Sequence, residues 1–170
     1  GKIVHFDSYG YSDLSENDKL DRNDIFRIAS MTKPIVSIGL MMLYEEGKFQ
    51  LDDPVYKYIP EFKNLTVKKR KKTKPIKNDV KIIDLLRHSA GFNFKGPEDY
   101  RKVIDMDLEQ YTQEAIKTPL LYEPGSQWRY SSSTDICGYL IEILSGMKLD
   151  TFLKTRLFDP IGMNDTFFEL

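Results

Sequence analysis

The sequence predicts an α+β fold with more helix than strand, and two apolar segments and one alternating segment carry this prediction. Residues 31–46, MTKPIVSIGLMMLYEE, are apolar on nearly every face and stop at Gly47, which favours a helix buried on all sides. Residues 133–146 place apolar side chains at helical spacing and end in Gly146. Residues 2–9, KIVHFDSY, alternate loosely and predict a strand.

The segments between these elements predict shorter pieces of structure. Residues 25–28, IFRI, read as a short strand or an extended lead-in to the first long helix. Turn and cap residues divide the rest of the chain. They predict short helices at residues 51–62, ending near Pro60; at 78–92, closed by Gly91; at 97–117, as two partly exposed helices; and at 150–158.

Length and composition favour a single globular domain over residues 1–170. The hydrophobic share of 41% and the charged share of 30% are those of a soluble globular protein. A formal net charge of −1 gives no overall attraction to nucleic acid or to anionic lipid. No apolar run approaches the ~18 residues of a membrane span, so no membrane span is expected. No internal repeat or linker divides the chain.

One charged segment departs from this average. Residues 68–77, KKRKKTKPIK, hold seven basic residues and no acid, which leaves 18 basic against 26 acidic residues elsewhere. Such a run can be a nucleic-acid patch or a solvated loop. Because no aromatic residue is interleaved for base stacking, we predict a basic surface loop at residues 63–79 and no specific nucleic-acid partner.

Cysteine and histidine are too few for a typical metal centre. Cys137 is the only cysteine and lies in an apolar stretch, which predicts a small core residue and excludes an intrachain disulfide. His5 and His88 are the only histidines. We therefore expect no metal and no organic cofactor. A free cysteine is compatible with cytoplasm or periplasm, so the location stays open.

Ser30 and Lys33 are spaced for nucleophilic chemistry, because residues i and i+3 share one face of a helix. A serine needs a neighbouring base, and a lysine serves only if apolar surroundings leave it partly neutral. At a helix N-terminus the backbone N–H of Ser30 could also stabilise an oxyanion. The alternative is a capping serine followed by a surface lysine.

Tyr130 is a candidate third group. It stands in EPGSQWRYSSS, residues 123–133, just before the second long helix. A phenol near Lys33 could carry a proton between Ser30 and a leaving group. The alternative is a tyrosine that merely hydrogen-bonds at a strand end.

Four motifs together resemble a known family. FRIASMTKP, LLRHSAGF, EPGSQWRYSSS and LFDPIGMNDTFF are similar, in order and context, to the serine β-lactamase-related hydrolases. That group comprises class C β-lactamases, D-Ala-D-Ala carboxypeptidases and β-lactamase-like esterases. The resemblance implies the mainly helical portion of a β-lactamase/penicillin-binding-protein-like fold, with few strands because the antiparallel sheet is largely missing.

The resemblance also implies roles for individual residues. Ser30 is the acylated nucleophile, Lys33 activates it, and Tyr130 matches the tyrosine of the Y-x-N motif, the general base and acid. The third position of that motif is Ser132, a substrate-binding position where the family has asparagine. A hydroxyl lacks the paired donor and acceptor of an amide, which favours an esterase-like member. His88 is expected to be structural rather than catalytic.

The family's K-T-G or H-x-G motif has no match after Tyr130. We therefore expect a fragment that lacks the first helix and strand and the C-terminal strands, completed by the rest of its own chain or by another chain. Since losing one oxyanion donor costs about 10²–10³ in kcat, the 170 residues alone are expected to be weak or inactive on small esters or amides. The alternatives are a β-lactamase or D-Ala-D-Ala carboxypeptidase, and a non-catalytic scaffold or binding module.

Overall fold

The computed structural model describes residues 1–94, 103 and 105–168, and the chain forms two compact units, residues 1–30 and 31–170. The smaller unit carries a short antiparallel hairpin of β1 (Tyr11–Asp13) and β2 (Asp18–Lys19). The predicted mixture of helix and strand is present, with helix dominant.

The strand predicted at residues 2–9 is wrong. The structure has no strand there, and Ile3 and Val4 are 84% and 95% exposed. A loose alternation of apolar residues becomes a strand only when a neighbouring strand supplies hydrogen bonds and a surface to pack on. The segment at 25–28 likewise has no strand.

The first long helix, α1, spans Thr32–Glu45 and confirms the helix predicted at residues 31–46. Its predicted burial on all sides is wrong, because Ile38 is 51% exposed. The buried positions lie on one face and include Val36, Leu40 and Leu43. That spacing of three and four residues is that of an amphipathic helix packed on one side.

The second long helix, α4, spans Ser133–Ser145, and Gly146 ends it at φ +71°, as predicted. Helices α1 and α4 pack against each other in the core of the larger unit. At this packing a Cβ on Gly39 would lie 2.8 Å from Leu153 Cδ2 and 3.3 Å from Ile141 Cδ1. Gly39 therefore permits the close approach of the helices.

Shorter helical elements surround this pair, with bounds that differ from the predicted ones. Residues 51–62 were expected to form one helix ending near Pro60. Two 3-10 turns occur instead, Val55–Lys57 and Pro60–Asn64. Proline suits the first turn of a helix, so Pro60 begins the second turn rather than ending the first.

The helix predicted at residues 78–92 is shorter than expected. It is α2, Ile82–Leu86, and at its start the Asp84 carboxylate accepts a hydrogen bond from the Lys81 backbone N–H at 3.2 Å. Its predicted closure by Gly91 is wrong, since His88 adopts the left-handed conformation (φ +58°) just beyond the C-cap.

The remaining helices follow in chain order. Of the two predicted at residues 97–117, one is α3 (Leu108–Ile116); residues 95–102 and 104 lie outside the described residues. The last predicted helix, 150–158, is built of α5 (Leu149–Leu153) and a π-helical turn, with α6 (Asp159–Ile161) after it.

The basic segment at residues 63–79 is more ordered than a loop. β3 (Thr66–Lys69) and β4 (Lys72–Pro75) form an antiparallel hairpin within it. Val67 is 2% exposed and pairs with Leu120 through an isolated parallel bridge. This bridge fixes the base of the hairpin to the rest of the unit.

Two negative findings apply to the described residues. No helix among them is long and apolar enough to cross a membrane. Within the same part of the chain, no group of three or more histidine, cysteine or acidic side chains could hold a metal ion. Cys137 is fully buried in the core, as predicted, and burial raises the pKa of its thiol.

Candidate active site

Ser30 lies in a 3-10 turn, Ala29–Met31, directly before α1, and its side chain is exposed. The preceding residue, Ala29, has φ +45°, a conformation that costs an L-residue about 1–2 kcal/mol. Backbone strain of this kind is concentrated at functional sites, where the fold holds a side chain in a required position. The residue with this backbone conformation directly precedes Ser30.

Lys33 and Tyr130 lie side by side in the larger unit although they are far apart in the sequence. Lys33 occupies the first turn of α1, and Tyr130 stands three residues before α4. The Nζ atom of Lys33 is 4.8 Å from the centroid of the Tyr130 ring, which is cation–π distance. Both side chains are half-buried, so Lys33 is less enclosed than its apolar sequence neighbours predicted.

Two further rings hold Tyr130 from the sides. The His88 ring lies 4.9 Å from the Tyr130 ring, centroid to centroid, and the Phe94 ring lies 5.4 Å away. Trp128 approaches His88 edge-on at 6.5 Å. Tyr130 therefore sits between aromatic neighbours that restrict the motion of its ring.

His88 is hydrogen-bonded to the segment that carries Tyr130. The backbone N–H of Ser131 donates to His88 Nδ1 at 3.3 Å, and the backbone N–H of Arg129 donates to the His88 carbonyl at 3.0 Å. The Tyr122 hydroxyl donates to the same carbonyl at 3.3 Å. Because a backbone N–H can only donate, Nδ1 must be unprotonated, and the neutral ring carries its proton on Nε2.

The electrostatic environment of this cluster is set by burial and by Lys33. Burial lowers the pKa of His88, and the positive charge of Lys33 lowers it further. Burial raises the pKa of Asp135, in the first turn of α4, while Lys33 opposes that rise. The charge of Lys33 therefore lowers the pKa of two groups near Tyr130. One is His88, whose ring contacts the Tyr130 ring, and the other is Asp135, five residues farther along the chain.

Ser132 is buried, and its hydroxyl is engaged by the backbone. Its Oγ donates to the Asn93 carbonyl at 3.1 Å, so its remaining capacity is that of an acceptor. The adjacent Ser131 and Ser133 hydroxyls lie 2.8 Å apart and are buried. This serine run therefore anchors by hydrogen bonds the segment that directly follows Tyr130.

A large surface cavity lies elsewhere in the larger unit. It has a volume of about 950 Å³ and is lined by residues that include Leu51, Asp84, Arg87 and Gly125. Lys33 and Tyr130 do not line it. We place the candidate site at Lys33 and Tyr130 nevertheless, because the sequence predicts these two side chains as site residues and they lie in contact.

Sequence reasoning missed two residues of this cluster. Phe94 gave no signal, since an aromatic residue after a glycine-containing turn has many ordinary explanations. Asp135 did give one, because it is an acid in the first turn of a largely apolar helix. His88 was predicted to be structural, and its hydrogen bonds to the Tyr130 segment agree with that interpretation.

The chain is similar to a described protein family over its full length. A family model described as beta-lactamase matches residues 1–170. A putative D-alanyl-D-alanine carboxypeptidase of Salmonella typhimurium is 35% identical over 152 residues, which cover 86% of this chain and 34% of that protein. Esterase EstB of Burkholderia gladioli is 29% identical over 177 residues, covering 97% and 44%.

A solved structure shows the same architecture. The structure of EstCE1, described as a hydrolase with promiscuous acyltransferase activity, superposes with a TM-score of 0.77 and 28% identity, covering 90% of this chain and 42% of that one. This likeness confirms the predicted fold class. The chain spans less than half the length of these relatives.

Proposed function

Since the chain belongs to the β-lactamase family, as its four motifs predicted, we propose that it carries the nucleophilic part of a serine hydrolase site. Ser30 would form an acyl-enzyme with a small ester or amide, and water would then release the acyl group. The observation that carries this proposal is the 4.8 Å approach of Lys33 Nζ to the Tyr130 ring.

The roles follow from the chemistry of acyl transfer. Ser30 Oγ attacks the carbonyl carbon of the substrate and gives up its proton, which Lys33 or Tyr130 accepts. The proton passes to the leaving group as the carbonyl carbon–leaving group bond breaks. The group that accepts this proton must start unprotonated, so the pair has to be an amine beside a phenol or an ammonium beside a phenolate, which hold one proton fewer between them than an ammonium and a phenol.

Ser132 supports an ester rather than a β-lactam or peptide as the substrate. An asparagine at this position would offer a substrate amide both a donor and an acceptor. The Ser132 hydroxyl already donates to the Asn93 carbonyl, so it has no donor left for the carbonyl of a substrate amide, whereas an ester does not need the paired contacts of an asparagine at this position. The relative named esterase EstB lends this proposal further support. β-Lactam or D-Ala-D-Ala cleavage remains the second candidate, favoured by the relative named a putative carboxypeptidase.

Covalent labelling tests the nucleophile directly. A fluorophosphonate probe should modify Ser30, as located by peptide mass spectrometry, and Ser30→Ala should abolish the adduct. Ser126→Ala removes an exposed serine outside the site and should leave labelling unchanged. Absence of any adduct on the wild-type chain would support a non-catalytic scaffold or binding module instead.

A matched pair of variants separates the partners of Ser30. Tyr130→Phe keeps the ring and its contact with Lys33 but removes the hydroxyl, so labelling should slow by about 10²–10⁴. Phe94→Leu changes a neighbouring ring that carries no proton and should slow labelling far less. Equal effects of the two substitutions would contradict a proton-transfer role for Tyr130.

Turnover is expected to be weak for residues 1–170 by themselves. We propose that full rates need the remaining segment of the fold, from the same chain or from another chain, because a hydrolase site needs a second oxyanion donor. Hydrolysis of p-nitrophenyl acetate at ordinary enzyme rates by residues 1–170, lost in Ser30→Ala, would contradict this. Comparing that ester with nitrocefin separates esterase from β-lactamase activity.

A further inference from the structure

We propose that the tip of the β3–β4 hairpin, residues 68–72, docks on the anionic surface of a phospholipid bilayer. The inference does not depend on the proposed hydrolase chemistry. It rests on the charge of this tip, on its rigid attachment to the core and on the opposite charge of the rest of the chain.

The hairpin tip is a dense cluster of uncompensated positive charge. Residues 68–72, KKRKK, are five consecutive cations and all are exposed. None of them forms an ion pair with a residue that the structure describes. Among the described residues, the ion pairs closest to the tip in the sequence are those of Lys74 with Glu123 at 2.7 Å and of Lys63 with Asp79 at 3.4 Å.

The tip is held in a fixed position rather than on a free loop. The backbone N–H of Lys68 donates to the Leu120 carbonyl at 2.8 Å, and the Leu120 N–H donates to the Thr66 carbonyl at 2.8 Å. Val67 is buried between them. The hairpin therefore presents its charge at a constant place on the surface, which a solvated loop would not do.

The conformation of the hairpin tip is energetically unfavourable in the unbound protein. Lys69 and Lys72 are direct cross-strand partners, and like charges directly opposite each other destabilise a hairpin. Arg70 adopts φ +57°, where glycine or asparagine would be accommodated more easily. An anionic surface would offset the charge repulsion, so this arrangement favours a bound state over the free one.

The charge of the remaining chain determines the orientation. Outside residues 68–77 there are 18 basic and 26 acidic residues, so an anionic surface repels most of the molecule. Contact is therefore confined to the tip. A flat bilayer suits contact by a compact cluster of lysine and arginine, which is a known form of lipid recognition.

A nucleic acid fits these observations less well. Residues 66–77 contain no aromatic side chain on which a base could stack. The cations are confined to one short turn, whereas a duplex is followed by cations spread along its backbone. The tip also has no apolar side chain, so the attachment is peripheral and purely electrostatic.

Vesicle sedimentation tests the proposal with two variants of equal charge. The tip variant carries Lys69→Gln, Arg70→Gln, Lys71→Gln and Lys72→Gln. The control variant carries four glutamines at exposed lysines elsewhere, Lys48, Lys117, Lys148 and Lys154. Removing four positive charges takes the formal net charge from −1 to −5 in both. Circular dichroism confirms that both are folded.

The wild-type protein should sediment with vesicles of equal parts phosphatidylglycerol and phosphatidylcholine at about 0.01 M salt. It should be released at about 1 M salt, because the Debye length is about 30 Å at 0.01 M but only about 3 Å at 1 M, so salt then screens the attraction. Each basic residue at the surface contributes roughly fivefold to binding, so the tip variant should bind more than about tenfold more weakly. The control variant should keep most of the binding.

Three results would overturn the proposal. One is that the wild-type protein fails to bind these vesicles at low salt. Another is an equal loss of binding in the tip and control variants, which would assign the effect to net charge. The third is tighter binding to duplex DNA than to vesicles at equal phosphate concentration, which would assign the tip to nucleic acid.

Discussion

Replacing His88 by asparagine isolates one ionisable group that holds the Tyr130 segment. His88 Nδ1 accepts the Ser131 N–H at 3.3 Å, and the Oδ1 atom of asparagine can accept the same hydrogen bond. Asparagine also tolerates the left-handed backbone that His88 adopts at φ +58°. The variant therefore keeps the hydrogen bond and the backbone conformation but cannot take up a proton.

The expected effect is a difference in how stability depends on pH. Burial and the charge of Lys33 lower the pKa of His88 in the folded state, below the value of about 6.5 of an unfolded chain. Above about pH 6.5 the ring is neutral in both states and contributes no difference. As the pH falls below that value, the unfolded chain binds a proton that the folded chain does not, so folding weakens.

The size of the effect follows from the same linkage. The wild-type protein should lose up to about 1.4 kcal/mol of unfolding free energy by pH 5.5, relative to His88→Asn. Urea unfolding of both proteins at pH 7.5, 6.5 and 5.5, chosen to span about 6.5, measures this difference. The other titrating groups, including His5, are common to both proteins and cancel.

A third protein checks the hydrogen bond itself. His88→Ala leaves the Ser131 N–H without its acceptor, which costs about 1–3 kcal/mol at every pH. A wild-type curve parallel to that of His88→Asn would refute the reasoning, because it would mean that His88 binds a proton equally well in both states.

Two further predictions concern the core. Gly91 has φ +95°, and a Cβ there would lie 2.5 Å from the Tyr122 carbonyl oxygen, so Gly91→Ala should lower the unfolding free energy by more than about 2 kcal/mol. Gly47→Ala, at φ +73° with no atom within 4 Å, should cost only about 1 kcal/mol, and equal midpoint shifts in urea would contradict the clash. Cys137 is fully buried and burial raises the pKa of its thiol, so a disulfide reagent should modify it only after unfolding. Rapid modification of the folded protein would show that the core opens readily.

Local sequence signals predicted the elements that depend on nearby residues alone, such as the ends of the two long helices. An apolar run followed by a glycine predicted where α1 begins and ends. The same signals predicted that α4 stops at Gly146, and the structure confirms both helices. The exposure of Ile38 could not be read from the same run, because it depends on where neighbouring elements lie. The strand expected at residues 2–9 failed for a similar reason, since a strand requires a partner.

Non-local pairing explains the other differences. The β3–β4 hairpin contains five consecutive cations, a composition that does not favour strands, and it is fixed by hydrogen bonds to Leu120. The approach of Lys33 to Tyr130 joins residues 97 positions apart, and neither spacing nor periodicity predicts it. It was expected only because the motifs resemble a family. The roles of Ser30, Lys33, Tyr130 and Ser132 stay predictions.

The glycine at the centre of α1 has a consequence for attempts to evolve new activities. Gly39 lies six residues, about 9 Å along the helix, from Lys33, and a Cβ there would lie 2.8 Å from Leu153 Cδ2 and 3.3 Å from Ile141 Cδ1, the ends of two flexible side chains. A larger residue therefore requires these side chains to repack or α1 to shift, and a shift of α1 would carry Lys33 with it. This buried position therefore offers a way to change the separation of Lys33 and Tyr130 without altering either side chain, and libraries that test the proposed site should include it.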